Sequence, residues 1–341
     1  MIGGAIDVSS DTEAFHRNAL VLDLHNDMLT KLVLRGGNLS RRHGAQWFYD
    51  PLAFDIDIPK LKEGGCDGLG CLLFAGFGLM AKKRFWAQLA RFRSLIADHP
   101  ELAQARSAAD IRRCKAEGRI ALWLGVEGAL PIEDDLAVVD QLADAGVIFF
   151  GPCWNKTNRA GVSSADRANS GGLSELGRRL VHRLDERSIA VDISHANART
   201  VDDLIAASRA PVFSSHSGCM AIHRHHRNLE DRQLAAIADG GGVVGIIFAS
   251  NMLGSTLGAS LETLANHIDH AAHIMGDDGV SLGSDFDGFV PLVRGMRDVA
   301  DLPRLTQVLT LRGWTPRRLE KLLGGNFLCY LDRHAAARPS A

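Results

Sequence analysis

The run Ala19-Leu-Val-Leu-Asp-Leu24 passes without a break into His25-Asn26-Asp27, so an apolar segment of strand length ends on side chains suited to metal binding and proton transfer. The arrangement returns along the chain. Short apolar, β-branched-rich runs recur at Gly68–Phe74, Ile120–Val126, Val147–Gly151, Ile189–Ile193, Pro211–Ser214, Val243–Phe248 and Val280–Gly283. Between them, helical periodicity covers Ala81–Ala97, Ser107–Glu117, Asp134–Ala145, Ser174–Arg187, Thr200–Ser208, Leu229–Ala238 and Leu261–Met275, and Thr315-Pro316 opens a helix after the eighth run. This alternation predicts parallel strands joined by helices, and eight of them predict an α/β fold of the (β/α)8 TIM barrel type. No G-x-G-x-x-G follows the first run, which argues against a dinucleotide-binding sheet. Without a repeat or linker, residues 1–341 read as one domain. Gly36–Pro51, with Arg41, Arg42, His43 and Trp47, and residues 156–172 read as loop insertions over the barrel mouth.

Composition narrows the class of function. The 341 residues are 46% hydrophobic, enough for a sizeable core, and 38 basic against 40 acidic residues leave a formal charge of −2. That balance provides no general attraction for nucleic acid or an anionic membrane surface, so small-molecule chemistry is expected. The first twenty residues lack the basic and apolar regions of a secretory signal, and the tail His334–Ala341 lacks a hydrophobic anchor. Gly240–Leu261 is uncharged but broken by six glycines, and reads as a buried strand plus loop rather than a membrane span. A cytoplasmic protein is the expectation. The six cysteines form no C-x-x-C pair, so they read as free thiols, Cys153 and Cys219 included.

Barrel active sites are assembled at the carboxyl ends of the strands. There the chain places His25 and Asp27 after the first run, Glu127 after the third, His195 after the fifth, His216 after the sixth and Asp285 after the eighth. Singly, each would be an ordinary hydrogen-bonded group or helix cap. Together, imidazoles and carboxylates converging on one end are costly to desolvate unless they share a cation, which predicts a metal site. Strand alternation would point His25 and Asp27 to one side, His195 and His216 could hold a second ion, and Glu127 could bridge. Nitrogen and oxygen ligands suit Zn2+, with Mn2+ or Co2+ as alternatives. Two such ions would hold a hydroxide as nucleophile, leaving Asp285 as a proton shuttle. Asp287 reads as structural. The basic run His223–Asn228 reads as surface, except that Arg227 could fork onto a substrate carboxylate.

The segments Val21–Asp27, Gly125–Gly128, Val191–His195, Ser214–Ser217, Arg227-Asn228 and Gly283–Gly288 resemble, in order and spacing, the membrane (renal) dipeptidases, peptidase family M19 of the amidohydrolase-like barrels. The resemblance spans residues 20 to about 290. It implies a binuclear zinc dipeptidase in which His25 and Asp27 bind one ion, His195 and His216 the other, and Glu127 bridges. Asp285 would donate a proton to the leaving amine, Arg227 would grip the carboxylate of a dipeptide, and the protein would be a homodimer. In one place the chain departs from mammalian relatives, which carry a substrate-binding histidine where Trp154 stands in Gly151-Pro-Cys-Trp-Asn155. An indole N–H donates but cannot become a cation, so Asn155 is expected to supply the polar substrate contact. Hydrolysis of another amide or ester, such as an N-acyl amino acid or a lactone, is the alternative enzyme reading. A non-catalytic metal-binding barrel is the alternative outside enzymes.

Overall fold

The computed structural model describes residues 6–44, 53–74, 76, 78–132 and 135–337. Trp47, the second half of the expected 36–51 lid, Asp134 and residues 338–341 of the tail lie outside the described residues.

Nine short parallel strands are present among them: β1 Leu22–Asn26, β2 Gly68–Phe74, β3 Leu102–Gln104, β4 Ile120–Glu127, β5 Val147–Gly151, β6 Ala190–Val191, β7 Ser214–Ser217, β8 Val244–Ile246 and β9 Val280–Leu282. They form one sheet in the order β1-β2-β4-β5-β6 and a second in the order β7-β8-β9. At each seam between the two sheets the ladder shrinks to a single parallel bridge, Asp192 to Phe213 after β6 and Asn26 to Phe286 after β9. Eight strands thereby follow one another around a (β/α)8 barrel. The ninth, β3, lies beside the first half of β4.

A buried carboxylate reinforces each seam. Asp23 accepts from the backbone N–H of Ser284 at 2.8 Å and from its hydroxyl, tying β1 to the end of β9. Asp192 accepts from the backbone N–H of Ser215 at 3.0 Å, tying β6 to β7. Side chains there supply acceptors that a longer ladder would have supplied from the backbone.

The amino end of the barrel is filled by aromatic rings. Trp123, Phe149, Phe213, Phe327 and Tyr330 are all buried, the last two carried in by the closing helix Asn326–Ala336. Gly125 is required here, because a Cβ at that position would come 2.1 Å from the Phe149 ring. Phe327 lies 5.3 Å from Trp123 between ring centroids, and the Tyr330 hydroxyl donates to the Pro211 carbonyl at 2.9 Å. The rings close the barrel; the Tyr330 hydroxyl finds an acceptor, whereas Trp123 Nε1 is buried without one.

Several boundaries differ from the sequence expectation, for identifiable reasons. The first strand was expected at Ala19–Leu24 and occurs at Leu22–Asn26, because Val21 uses its N–H on the Asp67 carboxylate instead of a ladder. The sixth was expected at Pro211–Ser214 and occurs at Ser214–Ser217, a serine-rich stretch held by buried hydroxyls rather than by apolar side chains. His25 and His216 therefore sit within strands and not after them. The Gly240–Leu261 stretch contains β8 and the short helix Ser250–Leu253, and no helix among the described residues is long and apolar enough to cross a membrane.

Candidate metal centre

At the carboxyl end of the barrel, six of the side chains singled out in the sequence meet. His25 projects from β1, Glu127 from the end of β4 and His216 from β7. Asp27 reaches the cluster from the first residue before helix Met28–Arg35, with φ −104° and ψ 20°. Its side chain is thus aimed by the strand-to-helix turn and not by strand alternation. His195 and Asp285 both adopt left-handed backbone, at φ 67° and 63°, a conformation that costs a non-glycine residue energy and is retained where function or packing demands it.

One oxygen, Glu127 Oε1, faces three imidazoles. It lies 2.8 Å from His195 Nε2, 3.7 Å from His216 Nε2 and 3.8 Å from His25 Nε2. His25 Nε2 in turn lies 4.0 Å from Asp27 Oδ2 and 3.8 Å from Asp285 Oδ1. The ligand atoms of His25, Asp27 and Glu127 lie within 4.8 Å of one another, as do those of Glu127, His195 and His216, and those of His25, His216 and Asp285. These donors fit metal ions on their own geometry. His25 Nε2 is buried without a hydrogen-bond partner, its carboxylate neighbours standing beyond hydrogen-bonding reach yet suitably placed to share a cation with it.

The electrostatics agree. Burial, and after it the charges of Asp27 and Asp285, pushes Glu127 well above the usual carboxylate range. Burial and then the Asp27 charge does the same to Asp285, and burial first raises Asp27 to about 7. Burial also holds His25, His195 and His216 well below the usual imidazole value, so each stays neutral with a lone pair to offer. Such crowding of acidic groups is relieved by a divalent cation.

The outward-facing ring nitrogens are oriented from behind. His25 Nδ1 and His216 Nδ1 lie 2.9 and 2.8 Å from the same Ser215 hydroxyl, and His195 Nδ1 lies 2.9 Å from Asn155 Oδ1. Asn155, expected to touch substrate, holds the His195 ring through Oδ1 and also lines the small space beside the ligand cluster. Asp23, Asp192 and Ser215 were not singled out as site residues in the sequence, although Asp23 and Asp192 stand two and three positions before a candidate ligand. Only knowledge of the neighbouring strand reveals what they hold.

Arg227 is buried, donates from Nη2 to the His216 carbonyl at 3.1 Å, and leaves Nε buried without a hydrogen-bond partner. Asp287, read as structural in the sequence, pairs with Lys31 at 2.9 Å and accepts from the Asp55 N–H through Oδ1, and leaves Oδ2 buried without a hydrogen-bond partner. Cys153 and Cys219 are buried free thiols, donating to the carbonyls of Val162 and His267. Next to the ligand cluster lies a small space of about 80 Å3 lined by Asp27, Glu127, Asn155, His195 and Asp285 among others. Phe74, Glu127 and Trp154 also line a larger cavity of about 470 Å3, which extends past Leu130 to Lys156 and Arg159. The Trp154 ring lies 4.5 Å from that of Phe74, tilted by 50°, and stands 6.3 Å from His195.

Comparison with known proteins gives a consistent result. The family model of the membrane dipeptidases, peptidase family M19, matches residues 10–339. An uncharacterized protein in the pqqA 5′ region of Klebsiella pneumoniae is 37% identical over 253 residues, which is 71% of this chain and 93% of that protein. Among solved structures, the metallopeptidase dipeptidase AC, of family M19, superposes with a TM-score of 0.84 at 29% identity, covering 93% of this chain and 98% of its own. A metallopeptidase from Rhodobacter sphaeroides, liganded with a phosphinate mimic of the dipeptide L-Ala-D-Ala, gives 0.84 at 28% identity over 93% of this chain and 99% of its own. The probable dipeptidase PvdM of Pseudomonas aeruginosa, at 22% identity, shares the fold with a TM-score of 0.88 over 96% of this chain and 98% of its own.

Proposed function

Since the chain belongs to the membrane dipeptidase family of metallopeptidases, we propose that it is a binuclear zinc dipeptidase. His25 and Asp27 would hold one ion, His195 and His216 the other, and Glu127 would stand between them. The observation that carries this reading is the meeting of two three-residue donor groups on the single Glu127 carboxylate. When bound, two such ions supply Lewis acidity and an activated water at neutral pH. The dipeptide as substrate is supported by the phosphinate mimic held by the R. sphaeroides relative.

The chain's own residues divide the remaining work. Asp285, whose proton affinity is raised by burial and by Asp27, delivers a proton to the nitrogen of the departing amino acid. Arg227, whose Nε has no hydrogen-bond partner and whose Nη2 is fixed on the His216 carbonyl, would bind the substrate's terminal carboxylate. Both attend the leaving residue. The 470 Å3 cavity is lined by neither of them, so it receives the side chain of the amino-terminal residue, against Phe74, Leu130 and Trp154.

The test is release of free amino acids from a library of L,L and L,D dipeptides by zinc-loaded protein, with Asp285→Asn as control. Cleavage that drops by about 10²–10⁴-fold in the control supports the assignment. A folded protein that holds two ions and cleaves none of the library, yet opens an N-acyl amino acid or a lactone, would overturn it.

A further inference from the structure

The hydroxyl of Ser215 is shared by imidazoles of both ion sets, and this has consequences for proton placement. Ser215 is fully buried, and the His25 and His216 rings that flank its oxygen are 3.7 Å apart between centroids. On the reading that each ring meets its ion through Nε2, each carries its proton on Nδ1. Both N–H groups must then donate to the one Ser215 oxygen, at 2.9 and 2.8 Å, which uses both of its lone pairs. The Ser215 proton is left to point away, toward Ser194 Oγ at 3.3 Å. Ser194 in turn donates to Asp192 Oδ1 at 2.7 Å, an oxygen that also takes the backbone N–H of Ser194 at 2.9 Å and of Ser215 at 3.0 Å.

We infer that Ser215 is a positioning residue that sets the tautomers of His25 and His216 together, with the Asp192 carboxylate fixing the direction of the hydrogen-bond chain, so that the two ion sets are organised as one unit. A carboxylate can only accept, so the Ser194 proton sits on Asp192. With the neighbouring Ser214 hydroxyl, 3.0 Å away, donating to Ser217, the Ser194 oxygen accepts from the backbone N–H of His216 and from Ser215. The third imidazole is independent, because His195 donates to Asn155. Loss of Ser215 therefore weakens both ions, whereas loss of Asn155 weakens only the ion on His195.

Ion affinity measured by competition with a chelator, with ¹⁵N NMR of the histidine rings in the zinc-loaded protein, tests this. Wild type should show exchange-protected Nδ1–H protons on His25 and His216. Ser215→Ala should lose that protection on both rings and weaken both ions by about 10–100-fold, the range found when such supporting groups are removed. Ser215→Thr, which keeps the hydroxyl, should restore both, and Asn155→Ala should affect one ion. The inference falls if Ser215→Ala binds both ions within twofold of wild type, or weakens only one. It falls equally if wild-type His25 or His216 carries its proton on Nε2, a readout that stands even should the alanine variant not fold. Wild-type protein that takes up no ion at all would overturn the metal-site reading instead.

Discussion

The two ends of this barrel are built on opposite principles. At the amino end, Trp123, Phe149, Phe213, Phe327 and Tyr330 pack ring against ring, the Tyr330 hydroxyl has its acceptor, and the Trp123 indole N–H is the one ring donor among them left without a partner. At the carboxyl end, three carboxyl groups pushed above the usual range by burial surround an imidazole nitrogen with no hydrogen-bond partner, and two of the converging residues sit in left-handed backbone. The first end stabilises the fold. The second is destabilised by its own polar groups, a cost that a divalent cation shared among them would offset.

Removing Glu127 should separate these roles most sharply. Glu127→Gln removes the carboxylate charge and one of the two oxygens shared by both donor groups, and dipeptide hydrolysis should fall by about 10³-fold or more. In chelator-treated protein the same change relieves the crowding with Asp27 and Asp285, so thermal unfolding should move upward relative to ion-free wild type. With zinc present the order should reverse, since wild type gains the stabilisation of ligand binding. Ion-free wild type melting above the variant would show that the carboxyl end is not under electrostatic load. At the other end, Phe327→Ala should lower unfolding free energy by about 3–5 kcal/mol, the cost of an aromatic cavity in a closed core, while ion content stays at the wild-type value. Loss of bound zinc in a still-folded variant would mean that the ends are coupled.

How much of this the sequence displays follows the same division. β2, β5 and helix Leu261–Met275 run to the expected residues, because each is a continuous apolar or periodic segment bounded by turn residues. The six converging side chains were visible as well, since polar residues at the ends of buried strands stand out against their flanks. The support behind them was not visible. Ser215 and Asn155 act across strands, and the left-handed backbone of His195 and Asp285 answers to packing rather than to local preference. β3 is three residues long, too short to carry a period, and β7 is serine-rich, contrary to strand propensity. The amino-terminal helix Ser10–Asn18 was also unexpected, its face being mostly polar.

A smaller effect concerns acid stability at a site remote from the ions. His16 is buried between Thr306 Oγ1, at 2.7 Å, and the Gly64 carbonyl, at 2.9 Å, and burial lowers its imidazole from the ordinary 6.5 to about 4. Its folded pKa is depressed, so the neutral form is favoured in the native state. The contribution to stability is complete above pH 6.5 and is lost as pH falls toward 4, on the order of 3 kcal/mol in all. His16→Gln, which keeps a donor and an acceptor without titrating, should flatten that part of the stability profile in urea melts between pH 7 and pH 4. An unchanged slope would place the acid sensitivity elsewhere, His267 being the next group to examine because burial lowers it to about 4 as well.

The smallest effect tests how the catalytic end meets its substrate. Leu130 stands on the turn Leu130–Ile132 and lines the 470 Å3 cavity, outside the ligand cluster. Leu130→Trp should fill part of that space without touching an ion ligand. For dipeptides with a large amino-terminal side chain KM should rise by about fivefold, a penalty of roughly 1 kcal/mol, while kcat changes little. The ratio of kcat/KM for Phe-Ala to that for Ala-Phe isolates the position, because only the first places its ring in this cavity. A fall in that ratio assigns the cavity to the amino-terminal residue. Should Ala-Phe suffer instead, the cavity would belong to the leaving residue, and Arg227 would have to reach its carboxylate from the opposite side of Glu127.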